Sequence, residues 1–134
     1  MKKSISIILT VAFSVLLSNG SFAQEEHKQS VSFDKTSHSS GLIIEGEKVS
    51  TTFTLTNKGE KPISISKVSS SCGCTVPTFS KDPIKKGEKG KVELVFNSKG
   101  RIGAFAKSAI VRFSDGTQQT LKIKGEVYKE IAKK

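Results

Sequence analysis

The two cysteines of this chain, Cys72 and Cys74, are separated only by Gly73 and stand out as the residues most suited to unusual chemistry. Disulfides in secreted domains mostly close long loops, because linking distant residues removes more conformational entropy from the unfolded chain. The chain-entropy relation gives only roughly 1.6 kcal/mol for a three-residue loop, against about 3 kcal/mol for fifteen residues. This spacing therefore argues against a role in global stability. It leaves local shaping, redox chemistry, metal binding or simple packing.

A disulfide is the first interpretation of the cysteine pair. Residues two apart on a strand point to the same face, but two strand rises separate them by roughly 6.5 Å, whereas the Cβ atoms of a disulfide are about 3.8 Å apart. The backbone must therefore bend. Gly73 is predicted to permit a bend within the strand, because glycine lacks a Cβ and tolerates positive φ.

Two further interpretations of the pair remain open. Reduced cysteines behave as small apolar side chains, so the two thiols could simply pack. Alternatively, Cys72 and Cys74 could undergo thiol exchange or bind a soft ion such as Cu(I). The spacing differs from the Cys-x-x-Cys of oxidoreductases, and only His27 and His38 could add nitrogen ligands to a zinc site that usually needs four. No cofactor is predicted.

The other side chains give no catalytic pattern. The twelve Asp and Glu residues lie mostly beside Lys in turns, and the chain has neither a nucleophile elbow nor a phosphate-binding glycine loop. Ser69, Ser70 and Ser71 are interpreted as turn and strand-edge residues. We therefore predict that the protein is not an enzyme.

Residues 1–23 have the features of a secretory signal peptide. Lys2 and Lys3 precede an apolar stretch from Ile5 to Leu17, and a small-x-small cleavage site ends at Ala23. The apolar stretch is shorter than the about 20 residues that a transmembrane helix needs. We expect cleavage, export to the periplasm or the extracellular space, and a mature chain without a transmembrane segment.

The rest of the chain has the pattern of an all-β domain. Apolar and polar residues alternate over 49–55, 92–96, 109–113 and 121–127, which is the period-2 pattern of half-buried strands. Ile63 and Ile65 are expected to continue the first alternation after Pro62. A short first strand is predicted at Val31 to Phe33, and Asp115-Gly116 predicts a hairpin.

These patterns predict one domain and two tails. Residues 24–30 are expected to form a flexible tail, residues 31–128 a β-sandwich, and residues 129–134 a charged C-terminal tail. The triplet Gly-Glu-Lys occurs at 46–48, 59–61 and 87–89, each time just before a strand. We interpret it as one turn geometry used three times, with glycine supplying unusual backbone angles.

The formal charge of +10 favours anionic surfaces but gives no sign of specific nucleic-acid recognition. All but Arg101 and Arg112 of the 22 basic residues are Lys, and Arg is the type suited to bidentate recognition of phosphate or guanine. A protein or cell-envelope partner is expected, and no specific nucleic acid.

The order of several motifs resembles a known bacterial family. The motifs are Glu45 to Val49, Phe53 to Gly59, Pro62 to Ile65, Ser71 to Pro77, Lys86 to Glu88 and Phe96 to Gly100. They resemble the bacterial domain of unknown function 1573, which is similar to Hydin-type and pilus-chaperone-type immunoglobulin-like domains, over about Val31 to Val127. The resemblance implies a secreted immunoglobulin-like β-sandwich of about seven antiparallel strands, and it implies no biochemical activity.

Two functional hypotheses follow from these features. The first is an exported immunoglobulin-like binding or assembly module that meets a protein or envelope partner through strand edges or loops. The second is a small thiol-redox or Cu(I)-handling protein that uses Cys72 and Cys74.

Overall fold

A computed structural model describes residues 30–131 of the chain, which form an eight-stranded β-sandwich. Sheet A has the strand order β1-β3-β6-β5, and sheet B has the order β2-β8-β7-β4. The expected all-β immunoglobulin-like fold is confirmed. The strands are β1 (Val31–Phe33), β2 (Ser37–Ile44), β3 (Lys48–Asn57), β4 (Ile65–Ser70), β5 (Thr75–Phe79), β6 (Lys89–Asn97), β7 (Gly103–Phe113) and β8 (Gln118–Tyr128).

Some predictions concern parts of the chain outside the described residues. These are the signal peptide at 1–23, the tail at 24–30 apart from Ser30, and the last three residues of the tail at 129–134. Within 30–131, no helix has the length and apolar character that crossing a membrane requires.

The alternating strands place their apolar residues in one core between the sheets. In sheet A, β3 and β6 pair antiparallel, and this register brings Phe53 opposite Val92, both fully buried. In sheet B, β7 and β8 pair antiparallel around the turn at Asp115-Gly116. Phe96 of β6 stacks on Phe105 of β7 with ring centroids 4.2 Å apart, so aromatic contact joins the two sheets.

Two strands have no counterpart in the sequence-based expectation. β2 pairs in parallel with β8, which departs from the expected antiparallel arrangement. Half of its residues are polar, only Ile43 is buried, and an irregularity between Ser39 and Leu42 interrupts the alternation. β5 contains Pro77, a residue that argues against a strand when only the sequence is considered.

The expected continuation of β3 through Ile63 and Ile65 is wrong. Ile63 makes a single bridge with Ile84, and Ile65 begins β4 in the other sheet. Both side chains are buried, so the alternation correctly identified core positions. It does not reveal that the chain changes sheets between them.

Two of the three Gly-Glu-Lys triplets form the same turn. Gly46 and Gly87 have φ values of 95° and 79°. In each case the following glutamate accepts a hydrogen bond from the main-chain N–H three residues before it, at 3.0 Å for Glu47 and 2.9 Å for Glu88. Gly59 does not have a positive φ, and Glu60 instead pairs with the Lys86 ammonium at 2.5 Å. The expectation of one shared geometry therefore holds for two turns only.

Candidate functional site

Cys72, Gly73 and Cys74 lie in the connection between β4 and β5. β4 is one of the two outer strands of sheet B and β5 is one of the two outer strands of sheet A, so the chain passes from one sheet to the other at this point. The expected bend within one strand is therefore a turn between two sheets. A disulfide joins the two cysteines, whose Cα atoms are 5.3 Å apart. We call residues 71–76 the disulfide corner.

The role expected for Gly73 is wrong. Its φ is not positive, and a Cβ built on it would meet nothing within 4 Å. A hydrogen bond from the Thr75 N–H to the Cys72 carbonyl, 3.4 Å long, instead closes a tight turn. This turn brings the Cα atoms closer than a strand would, so neither the shape nor the space of the site requires glycine at this position.

Main-chain hydrogen bonds fasten the disulfide corner to both sheets. On the side of sheet B, the Ser71 N–H donates to the Ser108 carbonyl at 2.8 Å, and the Ser108 N–H donates to Ser71 Oγ at 3.2 Å. On the side of sheet A, the Asn97 N–H donates to the Cys74 carbonyl at 2.9 Å. Ser70 Oγ donates to the Cys72 carbonyl at 2.9 Å. The serines before the cysteines thus hold the turn.

The two sulfurs differ in exposure. Cys74 is buried in the core with 5% of its surface exposed, whereas Cys72 is half-buried and packs against the core. Both Sγ atoms lie 3.9 Å from the buried Thr75 hydroxyl. Any reagent from solvent therefore meets Cys72 Sγ before Cys74 Sγ.

The structure does not bring His38 close to the cysteine pair. His38 lies in β2, at the edge of sheet B opposite β4, and His27 lies outside the described residues. Among residues 30–131, no three or more His, Cys, Asp or Glu side chains cluster in a way that could hold a metal ion.

The free edge of β5 has few main-chain groups to offer another strand. Asn97 N–H donates to Cys74 O, and Ser80 N–H donates to Lys91 O, so the main-chain groups of the even-numbered residues point toward β6. The main-chain groups of residues 75, 77 and 79 therefore point away from β6, toward the free edge. The Thr75 N–H is already bonded to Cys72, and Pro77 has no N–H. Only Phe79 is left as an outward main-chain donor in this strand.

The other three edge strands are short or irregular. β1 has three residues, and β4 is irregular between Ile65 and Lys67. β2 has its own irregularity, and both main-chain groups of Ile44 are bonded to Glu47. Short strands, bulges and proline are the devices by which proteins discourage strand addition. Loops and sheet faces are therefore the better-suited surfaces for a partner.

Comparison with solved structures confirms the sandwich fold. A protein of unknown function from Porphyromonas gingivalis W83 is 15% identical with a TM-score of 0.61; the match covers 72% of this chain and 46% of that one, so this chain spans less than half of that protein. The ASH/PapD-like domain 7 of human CEP192 is 14% identical with a TM-score of 0.65, covering 76% of this chain and 87% of that one.

A similar domain also occurs within a larger protein. The secreted serine protease VesC from Vibrio cholerae is 14% identical with a TM-score of 0.57, and the match covers 75% of this chain but 23% of the protease. Identities this low show a shared fold and no shared activity. No curated protein matches the sequence.

A family model confirms the resemblance in the motifs. The model described as protein of unknown function (DUF1573) matches residues 31–127, which run from the start of β1 almost to the end of β8 and include the disulfide corner. The chain therefore belongs to the DUF1573 family.

Proposed function

We propose that the mature protein is an exported binding module that recognises a protein partner with its disulfide corner. Family membership and the PapD-like fold support a binding or assembly role and point to no enzyme family. The signal-peptide features of residues 1–23 support export to the periplasm or the extracellular space.

The observation that carries the proposal is a covalent constraint on an exposed turn. A disulfide across three residues contributes only roughly 1.6 kcal/mol of unfolded-state entropy, so fixing local shape is its larger effect. The constrained turn exposes Ser71 and Gly73, and Val76 just beyond it is 60% exposed. A surface that is rigid before binding loses less conformational entropy in the complex.

Val76 gives the corner an apolar contact point. It lies on the outer face of sheet A, directly across from Val95 of β6. Covering this exposed apolar side chain with a partner removes apolar surface from water, which is favourable. Recognition through this surface does not need strand addition, for which the β5 edge is poorly suited.

The test is capture of partners from envelope extracts on immobilised mature protein. Val76→Lys and the double variant Cys72→Ser/Cys74→Ser are compared with Thr120→Lys, which makes the same charge change as Val76→Lys at an exposed strand position in sheet B. We expect both corner variants to lose the same proteins and Thr120→Lys to keep them. Retention of all partners by both corner variants would refute the proposal.

Thiol chemistry is the competing function, and the partial exposure of Cys72 is the observation in its favour. Thiol exchange would begin at this sulfur, since Cys74 is buried. Thiol counting under denaturing conditions tests directly whether the two cysteines are oxidised. Two free thiols after purification in air would contradict the disulfide. Copper analysis of the reduced protein, with the double serine variant as control, tests Cu(I) binding.

A further inference from the structure

The outer face of sheet B carries a shallow trough beside two lysines. Two adjoining hollows of about 610 and 390 Å³ share Ala106 and Lys124 in their lining, so they form one continuous depression over β2, β8 and β7. Lys122 also lines the second hollow, and both lysines are exposed. We call this depression the lysine trough.

The strand register explains why the depression exists. Paired residues of β2, β8 and β7 form three successive rows across the sheet, with one residue from each strand. In the first two rows, a lysine of β8 has a small residue on each side. The rows are Ser37, Lys122 and Ser108; Ser39, Lys124 and Ala106; and Leu42, Glu126 and Ala104. Small side chains on both neighbouring strands leave space beside each lysine, while the third row ends in Leu42, which is 70% exposed.

The two lysines have no anionic partner in the described structure. Within residues 30–131 the only salt bridge joins Lys86 and Glu60, in neither the trough nor its rim. Glu126 is the single acidic residue in the three rows. Lys122 and Lys124 are two residues apart on one face of β8, so they present two positive charges about 6.8 Å apart.

We propose that the lysine trough binds an extended acidic peptide. An extended peptide places residues i and i+2 on one face with the same spacing of about 6.8 Å, so two alternate carboxylates match the two lysines. The small residues of β7 leave room for the peptide main chain. Two positions further on, the third row presents Leu42 beside Glu126, which favours an apolar side chain over a third acid.

The chemistry of the cations fits ligand groups that carry one negative charge each, such as carboxylates. Lysine presents a compact point charge that pairs with a single anionic oxygen, whereas arginine forms the planar fork suited to bidentate contact with carboxylates or phosphates. The basic residues that line the two hollows, Lys122, Lys124 and the half-buried Lys107, are all lysines. This surface is separate from Val76 on sheet A, and the proposal does not depend on the function assigned to the disulfide corner.

Fluorescence anisotropy with a labelled Glu-Ser-Glu-Ser-Leu peptide tests the proposal on the mature protein. The variant Lys122→Gln/Lys124→Gln has a matched control in Lys89→Gln/Lys91→Gln, which removes the same charge at the same spacing from exposed positions of β6. We expect the trough variant to bind about ten-fold more weakly and the control to change by less than about two-fold at physiological salt. Melting temperatures of both variants check that they are folded.

Three results would overturn this assignment. Equal weakening by both lysine pairs would mean that net charge alone attracts the peptide. Equal binding of a Gln-Ser-Gln-Ser-Leu peptide would mean that carboxylates are not recognised. Saturable binding of dextran sulfate that depends on Lys122 and Lys124, with no saturable peptide binding, would make an anionic polysaccharide the ligand of the trough.

Discussion

Reduction of the disulfide should loosen the corner while leaving the domain folded. The chain-entropy relation gives roughly 1.6 kcal/mol for a closed loop of three residues, far below the total stability of about 5–15 kcal/mol typical of a domain. Sandwich residues such as Phe53 and Leu94 are fully buried and belong to the central strands β3 and β6, outside the corner. The reduced protein should therefore stay native, with a melting temperature lower by on the order of 10 °C.

Urea unfolding of the same protein, oxidised and reduced, measures this difference without any substitution. We expect the free energy of unfolding to fall by about 1–2 kcal/mol with little change in the dependence on urea. Keeping the wild-type sequence matters because a serine at position 74 would place a hydroxyl in a nearly buried site, which adds its own cost.

Amide hydrogen exchange locates the effect of reduction. The Thr75 and Asn97 amides donate to the carbonyls of Cys72 and Cys74, so their exchange should become faster when the disulfide opens. The Phe113 amide, bonded to Thr117 in the turn between β7 and β8, is the internal control. A loss above about 4 kcal/mol would show that the disulfide sustains the whole domain. Unchanged exchange at Thr75 and Asn97 would show that it does not fix the corner, and either result refutes the reasoning.

Three further predictions follow from the geometry of single residues. Gly73→Ala should leave the urea midpoint almost unchanged, whereas Gly87→Ala should cost about 1 kcal/mol because φ is 79° there. Thr51→Val should be neutral or stabilising by about 1 kcal/mol, since Thr51 Oγ1 is buried and, among the described residues, has no hydrogen-bond partner; thermal unfolding tests this. Burial raises the pKa of Asp115, but hydrogen bonds from Thr117 and Ser30 outweigh it and lower the pKa below its usual value. Asp115 therefore contributes stability above the unfolded-state pKa of about 4 that is lost as the pH falls through the lower folded-state pKa; Asp115→Asn should reduce this acid dependence in urea titrations.

The central strands could be predicted from sequence because each buries one face and exposes the other. Phe53 and Leu55 in β3, and Val92 and Leu94 in β6, are fully buried at alternate positions with more exposed residues between them. Such alternation is the pattern expected of a half-buried strand. The same argument located β7 and β8.

The edge strands β2 and β5 could not be predicted because the packing of these two strands shows less clearly in the sequence pattern, whereas the short edge strand β1 was predicted. In β2 only Ile43 is buried, and Gly41, with a φ of 68°, lies within the irregularity that breaks the two-residue period. β5 contains Pro77, which an edge strand tolerates on its unpaired side. Strands at an edge share fewer core contacts, so their residue types are less constrained.

The candidate surfaces were only partly visible in the sequence. The spacing of Cys72 and Cys74 marked the pair as a candidate site with a disulfide as one of three interpretations, but it did not show that the pair connects two sheets. The lysine trough depends on cross-strand neighbours such as Ser39, Lys124 and Ala106, which lie far apart in the chain. A spacing rule along the sequence cannot detect a site that the register of three strands creates.

The disulfide corner and the lysine trough share one structural connection. Both main-chain groups of Ser108, whose side chain belongs to the first row of the trough, are hydrogen-bonded to Ser71 of the corner. The N–H and C=O groups of successive strand residues point to alternate sides of the strand. Those of Ser108 point away from β8, so hydrogen bonds to β8 do not fix them. A fixed Ser71 therefore helps to fix Ser108 beside Lys122. If both surfaces bind partners as proposed, the small disulfide positions residues at each of them, through Ser71 in the corner and Ser108 in the trough.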